Sequence, residues 1–252
     1  MRRLALALAA LTWLAFGLVP TVGAANPWTT ITLVDQAEGA PGPVARLAAA
    51  AAAPAPERVR PNGESPNYKL LAGEVRWLPG PRVEYRITNA PFRAAEHALA
   101  RSQRTVDRFI TTRAFKRDDD TRQVNPCTGQ PNTITWAPID RPGGLLALTH
   151  LCVNVANHEI GGFVTVFDSL DGWAIGADGD LSTYDVENVA THEWGHIAGL
   201  DVVDRPEDAC LTMYFKTSPE ETEQRTLGWG DKRGLDALYH TGDTRPGPGC
   251  GR

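Results

Sequence analysis

The segment His192–Asp201, with the sequence HEWGHIAGLD, contains the residues whose types and spacing are best suited to chemistry. His192 and His196 are four positions apart, and four helical residues turn by about 400°, so both imidazoles would project from one face of a helix. Two histidines at this spacing predict a zinc site. Glu193 would border the open coordination position, where it can take a proton from zinc-bound water. The pattern predicts peptide-bond hydrolysis at one catalytic zinc ion, with Glu193 as the catalytic base.

Two features that follow the histidines strengthen this interpretation. Gly199 comes three residues after His196, where the helix of a metzincin must stop and turn so that a third ligand can reach the metal. Glycine tolerates the left-handed backbone that such a turn requires. Met213, in the run Leu211-Thr212-Met213-Tyr214, resembles the methionine of the Met-turn, which passes beneath the metal-binding histidines.

The chain resembles the matrixin family of metzincins, especially its compact bacterial secreted members, over roughly residues 68–239. The resemblance rests on VENVATHEWGH at 186–196, LTMY at 211–214 and RTLGWGDKRGLDALY at 225–239. It implies an α+β fold with a mixed twisted sheet over an active-site helix, a Met-turn and a C-terminal helix. It also implies a secreted zinc metalloendopeptidase whose protein or peptide substrate lies in a cleft along the edge strand.

The third metal ligand departs from the family pattern. The family's third histidine falls six residues after the second, where this chain has Val202, and an isopropyl group cannot bind zinc. Asp201 is the favoured third ligand, because zinc accepts carboxylates and a loop tolerates a shift of one residue, with Asp204 as the next candidate. The alternative function is a degenerate metzincin-fold protein that binds peptide or zinc without cleavage, although Glu193 argues for catalysis.

Several elements must position these residues. We expect the metal-binding helix to begin after Asp185, which can cap its first turn, and to end at Gly199. Alternation and helical periodicity predict the remaining elements. These are strands at 82–87, 132–139, 145–155 and 162–167, helices at 92–110 and 231–239, and a hairpin turn at Asn157-His158 between the last two strands.

The two ends of the chain are predicted to lie outside the catalytic domain, residues 67–240. Residues 1–24 have two arginines, an apolar run and a small-residue end, which is typical of a cleaved signal peptide. The product would be secreted, with no stable membrane association. Residues 25–66 are rich in Ala, Pro and Gly and predict a linker or pro-segment, with ordered structure beginning near Tyr68. Residues 241–252 form a Gly- and Pro-rich tail.

Cysteine content and charge limit the remaining possibilities. Four cysteines in an exported chain predict two disulfides, and we favour the pairs Cys127–Cys152 and Cys210–Cys250. The formal net charge of −5 makes nucleic acid an improbable partner. No full calcium-loop pattern occurs in the acidic run 178–185, so calcium is possible but has no motif to support it. A monomer is the default expectation.

Overall fold

The computed structural model describes residues 26–37 and 65–246, which form an α+β fold. The helices are α1 (Arg93–Asp107), α2 (Val186–Ile197) and α3 (Trp229–Tyr239). The longer strands are β1 (Thr29–Ala37), β3 (Val83–Thr88), β5 (Asn132–Ala137), β6 (Leu145–Asn154) and β7 (Glu159–Asp168). The shorter ones are β2 (Lys69–Leu70), β4 (Phe115–Arg117), β8 (Gly172–Ala174), β9 (Thr183–Asp185), β10 (Leu200–Asp201) and β11 (Lys216–Thr217). Short 3-10 helices lie at Val155–Asn157, Pro206–Asp208 and Glu223–Arg225.

The main sheet has seven strands in the order β11-β1-β6-β7-β5-β3-β4. β4, β3, β5 and β7 run parallel to one another, whereas β6 is antiparallel to both β7 and β1. β11 pairs in parallel with β1 at the far edge. The sheet is therefore mixed, as the resemblance to matrixins implied.

The metal-binding helix packs against the sheet through Trp194. The indole is buried, and its ring centroid lies 5.4 Å from that of Tyr85, 5.2 Å from that of Phe115 and 5.7 Å from that of Phe163. These three rings belong to three different strands. Burial of such a large aromatic side chain stabilises the packing by roughly 2–3 kcal/mol, and it fixes the depth and rotation of α2 on the sheet.

The hairpin and one disulfide confirm two sequence predictions. β6 and β7 pair up to Asn154 and Glu159, and His158 between them adopts a left-handed conformation with φ of 55°. Cys127 is bonded to Cys152 at the end of β6. The loop that precedes β5 is thus attached covalently to the strand beside the metal-binding helix.

The prediction that ordered structure begins near Tyr68 is wrong. Residues 29–37 lie within the predicted linker or pro-segment, but they form β1 and pair with β6 along nearly their whole length. The Ala and Pro content of the whole segment hid a local run, Thr29 to Val34, that is rich in β-branched residues and has strong strand propensity. The possible role of this segment as a pro-segment stays a prediction.

Some predictions fall on residues that the structure does not describe. They include the signal peptide at 1–24, most of the 25–66 segment, and the last residues of the tail with Cys250, so the pair Cys210–Cys250 stays a prediction. Within the described ranges, no helix has the length and apolar character needed to cross a bilayer.

Candidate metal centre

Helix α2 begins and ends where the sequence predicts. The Asp185 carboxylate accepts a hydrogen bond from Asn188 N at 2.7 Å, and it is also paired with the Arg225 guanidinium. At the other end Gly199 has φ of +103°, and a Cβ at this position would lie 2.5 Å from Val75 O. Glycine is therefore required for the turn after the helix.

The two histidines are oriented by backbone carbonyls. His192 Nδ1 lies 2.8 Å from Thr212 O, and His196 Nδ1 lies 2.9 Å from Leu200 O. A carbonyl only accepts, so each Nδ1 carries the proton and each Nε2 presents a lone pair. This arrangement, in which a neighbouring acceptor fixes the ring, is typical of histidines that bind metals.

The free nitrogens are placed to bind one ion. His192 Nε2 and His196 Nε2 are 3.0 Å apart, and both side chains are fully buried. Two nitrogens bound to a tetrahedral zinc ion at 2.0–2.1 Å would be separated by about 3.3 Å. Two lone pairs that face each other repel unless a cation lies between them, so the donor set fits zinc.

Burial keeps both imidazoles neutral. Desolvation, reinforced for His192 by the neighbouring His196, lowers the pKa of His192 to about 3 and that of His196 to about 4. Neutral imidazole is the form that binds metals. The site therefore offers two unprotonated nitrogens at neutral pH.

Glu193 lies beside the histidines and is held from the sheet. The Thr149 hydroxyl on β6 donates to Glu193 Oε2, and Thr149 Oγ1 lies 2.8 Å from Thr165 Oγ1 on β7. Glu193 Oε1 is buried without a hydrogen-bond partner in the described structure. Burial raises the pKa of Glu193 to about 8, although the Thr149 hydroxyl opposes this shift. A carboxylate with a raised pKa and one unpaired oxygen is suited to exchanging a proton.

Asp35, on β1, is a second carboxylate that lies beside His192 and Glu193. Asp35, His192 and Glu193 each offer a ligand atom, and these three atoms lie within 4.8 Å of one another. Asp35 is fully buried, and neither carboxylate oxygen has a hydrogen-bond partner among the described residues. Burial, followed by the charge of Glu193, raises the pKa of Asp35 well above its usual value.

The structure does not bring the predicted third ligand into this cluster. Asp201 Oδ2 forms a salt bridge with Lys69 Nζ at 2.7 Å, and Asp201 Oδ1 accepts from Val202 N at 2.8 Å. Asp204 is exposed and lines a pocket of about 180 Å³ together with Lys69. The assignment of either aspartate as a zinc ligand stays a prediction. To bind the metal through Oδ2, Asp201 would have to break its salt bridge with Lys69.

Met213 lies beneath the helix, as the resemblance to the Met-turn implied. A Cβ added at Gly195 would collide with Met213 Sδ. The backbone of this turn is held by Asp231, whose carboxylate accepts from Thr212 N at 2.8 Å and Met213 N at 3.2 Å. The same turn supplies Thr212 O to His192, so the packing of Met213 and the orientation of a metal-binding histidine are connected.

Sequence reasoning missed Asp35 as a member of the site. The signal was the β-branched run that precedes it, which predicts a strand and would place every second residue on the buried face. Sequence alone contains nothing that pairs this strand with β6. The contact between Asp35 and Glu193 depends on that pairing.

Comparison with known families agrees with the geometry. The matrixin family profile matches residues 93–240, which is more than half of the chain. The chain therefore belongs to the matrixin family, a family of zinc metallopeptidases. The match includes α2 and Met213 and begins after β1, so Asp35 lies outside it.

Proposed function

We propose that this protein is a secreted zinc-dependent endopeptidase, in which His192 and His196 hold the metal and Glu193 is the general base. The observation that carries the proposal is the pair of Nε2 atoms 3.0 Å apart, with each ring fixed through its Nδ1. A carboxylate oxygen of Glu193 lies within 4.8 Å of a ring nitrogen of His192. A zinc ion bound there would act as a Lewis acid on the scissile carbonyl and on the attacking water.

Glu193 is placed to move the proton that hydrolysis requires. Its Oε2 is held by Thr149 and its Oε1 has no hydrogen-bond partner among the described residues, so Oε1 is available to accept a proton from the attacking water. The water oxygen bonds to the carbonyl carbon, the C–N bond breaks, and the proton passes from Glu193 to the leaving amine. No covalent bond between enzyme and substrate is needed.

The experiment is a joint measurement of zinc content and casein hydrolysis in the full chain, in Glu193→Gln and in Glu207→Gln. Glu207 is an exposed glutamate away from the helix and is a matched control. We expect one zinc per chain in all three proteins, and hydrolysis at least about a hundredfold slower in Glu193→Gln alone.

The degenerate alternative has a separate outcome. Bound zinc without hydrolysis, both in the full chain and in an Asp35→Ala variant that removes the carboxylate facing Glu193, would contradict the proposal and favour a binding protein. Failure to bind zinc at neutral pH would contradict both functions.

A further inference from the structure

β1 occupies the side of β6 where an extended peptide could add to the sheet. It pairs antiparallel with β6 from Thr29 opposite Val153 to Gln36 opposite Leu145. On its other side, Gln36 and Ala37 pair in parallel with β11. A peptide that binds by strand addition uses these same backbone groups. While β1 is in place, β6 has no free edge to offer.

The register of β1 directs one side chain at the metal centre. Leu33, Asp35 and Ala37 alternate along the strand and are all buried, whereas Thr30 and Thr32 on the other face are exposed. Asp35 comes between two apolar neighbours on the buried face. The strand therefore places a carboxylate, rather than an apolar side chain, opposite α2.

The surroundings of Asp35 call for a cation. Both of its oxygens and Glu193 Oε1 are buried without hydrogen-bond partners in the described structure. One carboxylate oxygen of Asp35, one of Glu193 and one ring nitrogen of His192 lie within 4.8 Å of one another. Burying two neighbouring carboxylates of which three oxygens have no hydrogen-bond donor costs several kcal/mol. A zinc ion between these groups would neutralise the charge and accept a carboxylate oxygen as a ligand.

We propose that β1 is an intramolecular occupant of the peptide-binding cleft, and that Asp35 is a metal ligand that keeps the centre closed. The inference rests on the proposed zinc site and gives the proposed enzyme a latent form. The substrate is then an extended peptide that replaces β1, antiparallel to β6 and parallel to β11. Activation requires β1 to leave the sheet and Asp35 to leave the metal.

The test compares zinc retention against a chelator for the full chain, Asp35→Asn and Thr30→Ala. Asparagine keeps the shape of aspartate and removes its charge, while Thr30 is an exposed control on the same strand. We expect zinc loss to be about tenfold to a hundredfold faster in Asp35→Asn and unchanged in Thr30→Ala. Equal zinc retention in Asp35→Asn and Thr30→Ala would overturn the inference.

Hydrogen exchange of the unaltered full chain provides a second test that depends on no variant. We expect slow exchange at the amides of residues 30–37, and still slower exchange at 33–37 after zinc loading, because the metal would tie Asp35 to α2. Rapid amide exchange in this strand, or exchange at the same rate with and without zinc, would overturn the inference.

Casein hydrolysis separates this inference from the proposed function. Hydrolysis that is faster in Asp35→Ala than in the full chain supports both. If Asp35 controls zinc retention and no protein cleaves casein, the closed cleft stands and the endopeptidase fails. If the full chain cleaves casein and Asp35→Ala cleaves it no faster, the endopeptidase stands and the closed cleft fails.

Discussion

The two sides of the metal centre are built differently. On the histidine side, His192 and His196 each have a backbone carbonyl partner at Nδ1 and belong to one buried helix. On the carboxylate side, Asp35 and Glu193 come from separate elements, and three of their four oxygens have no hydrogen-bond partner among the described residues. The first side is a rigid support for a metal ion. The second side contains two buried carboxylates whose negative charge only a cation or a proton can balance. Its metal and proton occupancy can therefore change.

The largest expected effect comes from breaking the histidine side. In His196→Ala one of the two nitrogens is lost, and we expect zinc below stoichiometry and peptide hydrolysis reduced by about a thousandfold or more. His97→Ala, an exposed histidine on α1, is the matched control. Metal analysis and initial rates check both variants. Full zinc and full activity in His196→Ala would show that the metal lies elsewhere.

The next effect concerns the support beneath the helix. Gly195→Ala places a methyl group against Met213 Sδ, so we expect the free energy of unfolding to fall by about 1–3 kcal/mol. In a Met213→Ala background the space is open, and the same change should cost much less. Urea unfolding of the unaltered chain, the two single variants and the double variant gives the coupling free energy between the two positions. Additive effects would contradict the proposed contact.

On the carboxylate side, Thr149→Val tests whether the Thr149 hydroxyl controls the pKa of Glu193. The Thr149 hydroxyl stabilises the charged form of Glu193, so its loss raises the pKa of Glu193 above about 8. The base must be deprotonated, and the acidic limb of the kcat/KM profile should therefore move to higher pH by about one unit. Thr165→Val, which removes a hydroxyl that contacts Thr149 and not Glu193, should cause a smaller shift. An acidic limb that does not move would show that Thr149 does not affect the pKa of Glu193.

The smallest effect is expected at Asp201. Its carboxylate is held by Lys69 and Val202 N, so Asp201→Asn should lower stability by about 1 kcal/mol and leave zinc retention in the full chain within about twofold. Lys69→Met removes the same ion pair and serves as the control. A zinc loss about tenfold faster in Asp201→Asn, without the same loss in Lys69→Met, would instead establish Asp201 as the third ligand.

The histidine side was predictable from sequence because its geometry is local. The spacing of His192 and His196, the cap at Asp185 and the turn at Gly199 each depend on a few neighbouring residues, and the structure has all of them within or directly beside α2. The carboxylate side depends on contacts that are distant in sequence. Asp35 meets Glu193 only because β1 adds to β6, and backbone pairing of that kind leaves no specific side-chain pattern.

The most direct test of the metal centre is X-ray absorption at the zinc edge of the full chain, together with Asp35→Asn. We expect two imidazole nitrogens at about 2.0–2.1 Å, carboxylate oxygen at about 2.0–2.2 Å and no sulfur, with one carboxylate ligand lost in Asp35→Asn. A third imidazole, a sulfur at about 2.3 Å or an unchanged spectrum in Asp35→Asn would contradict this expectation.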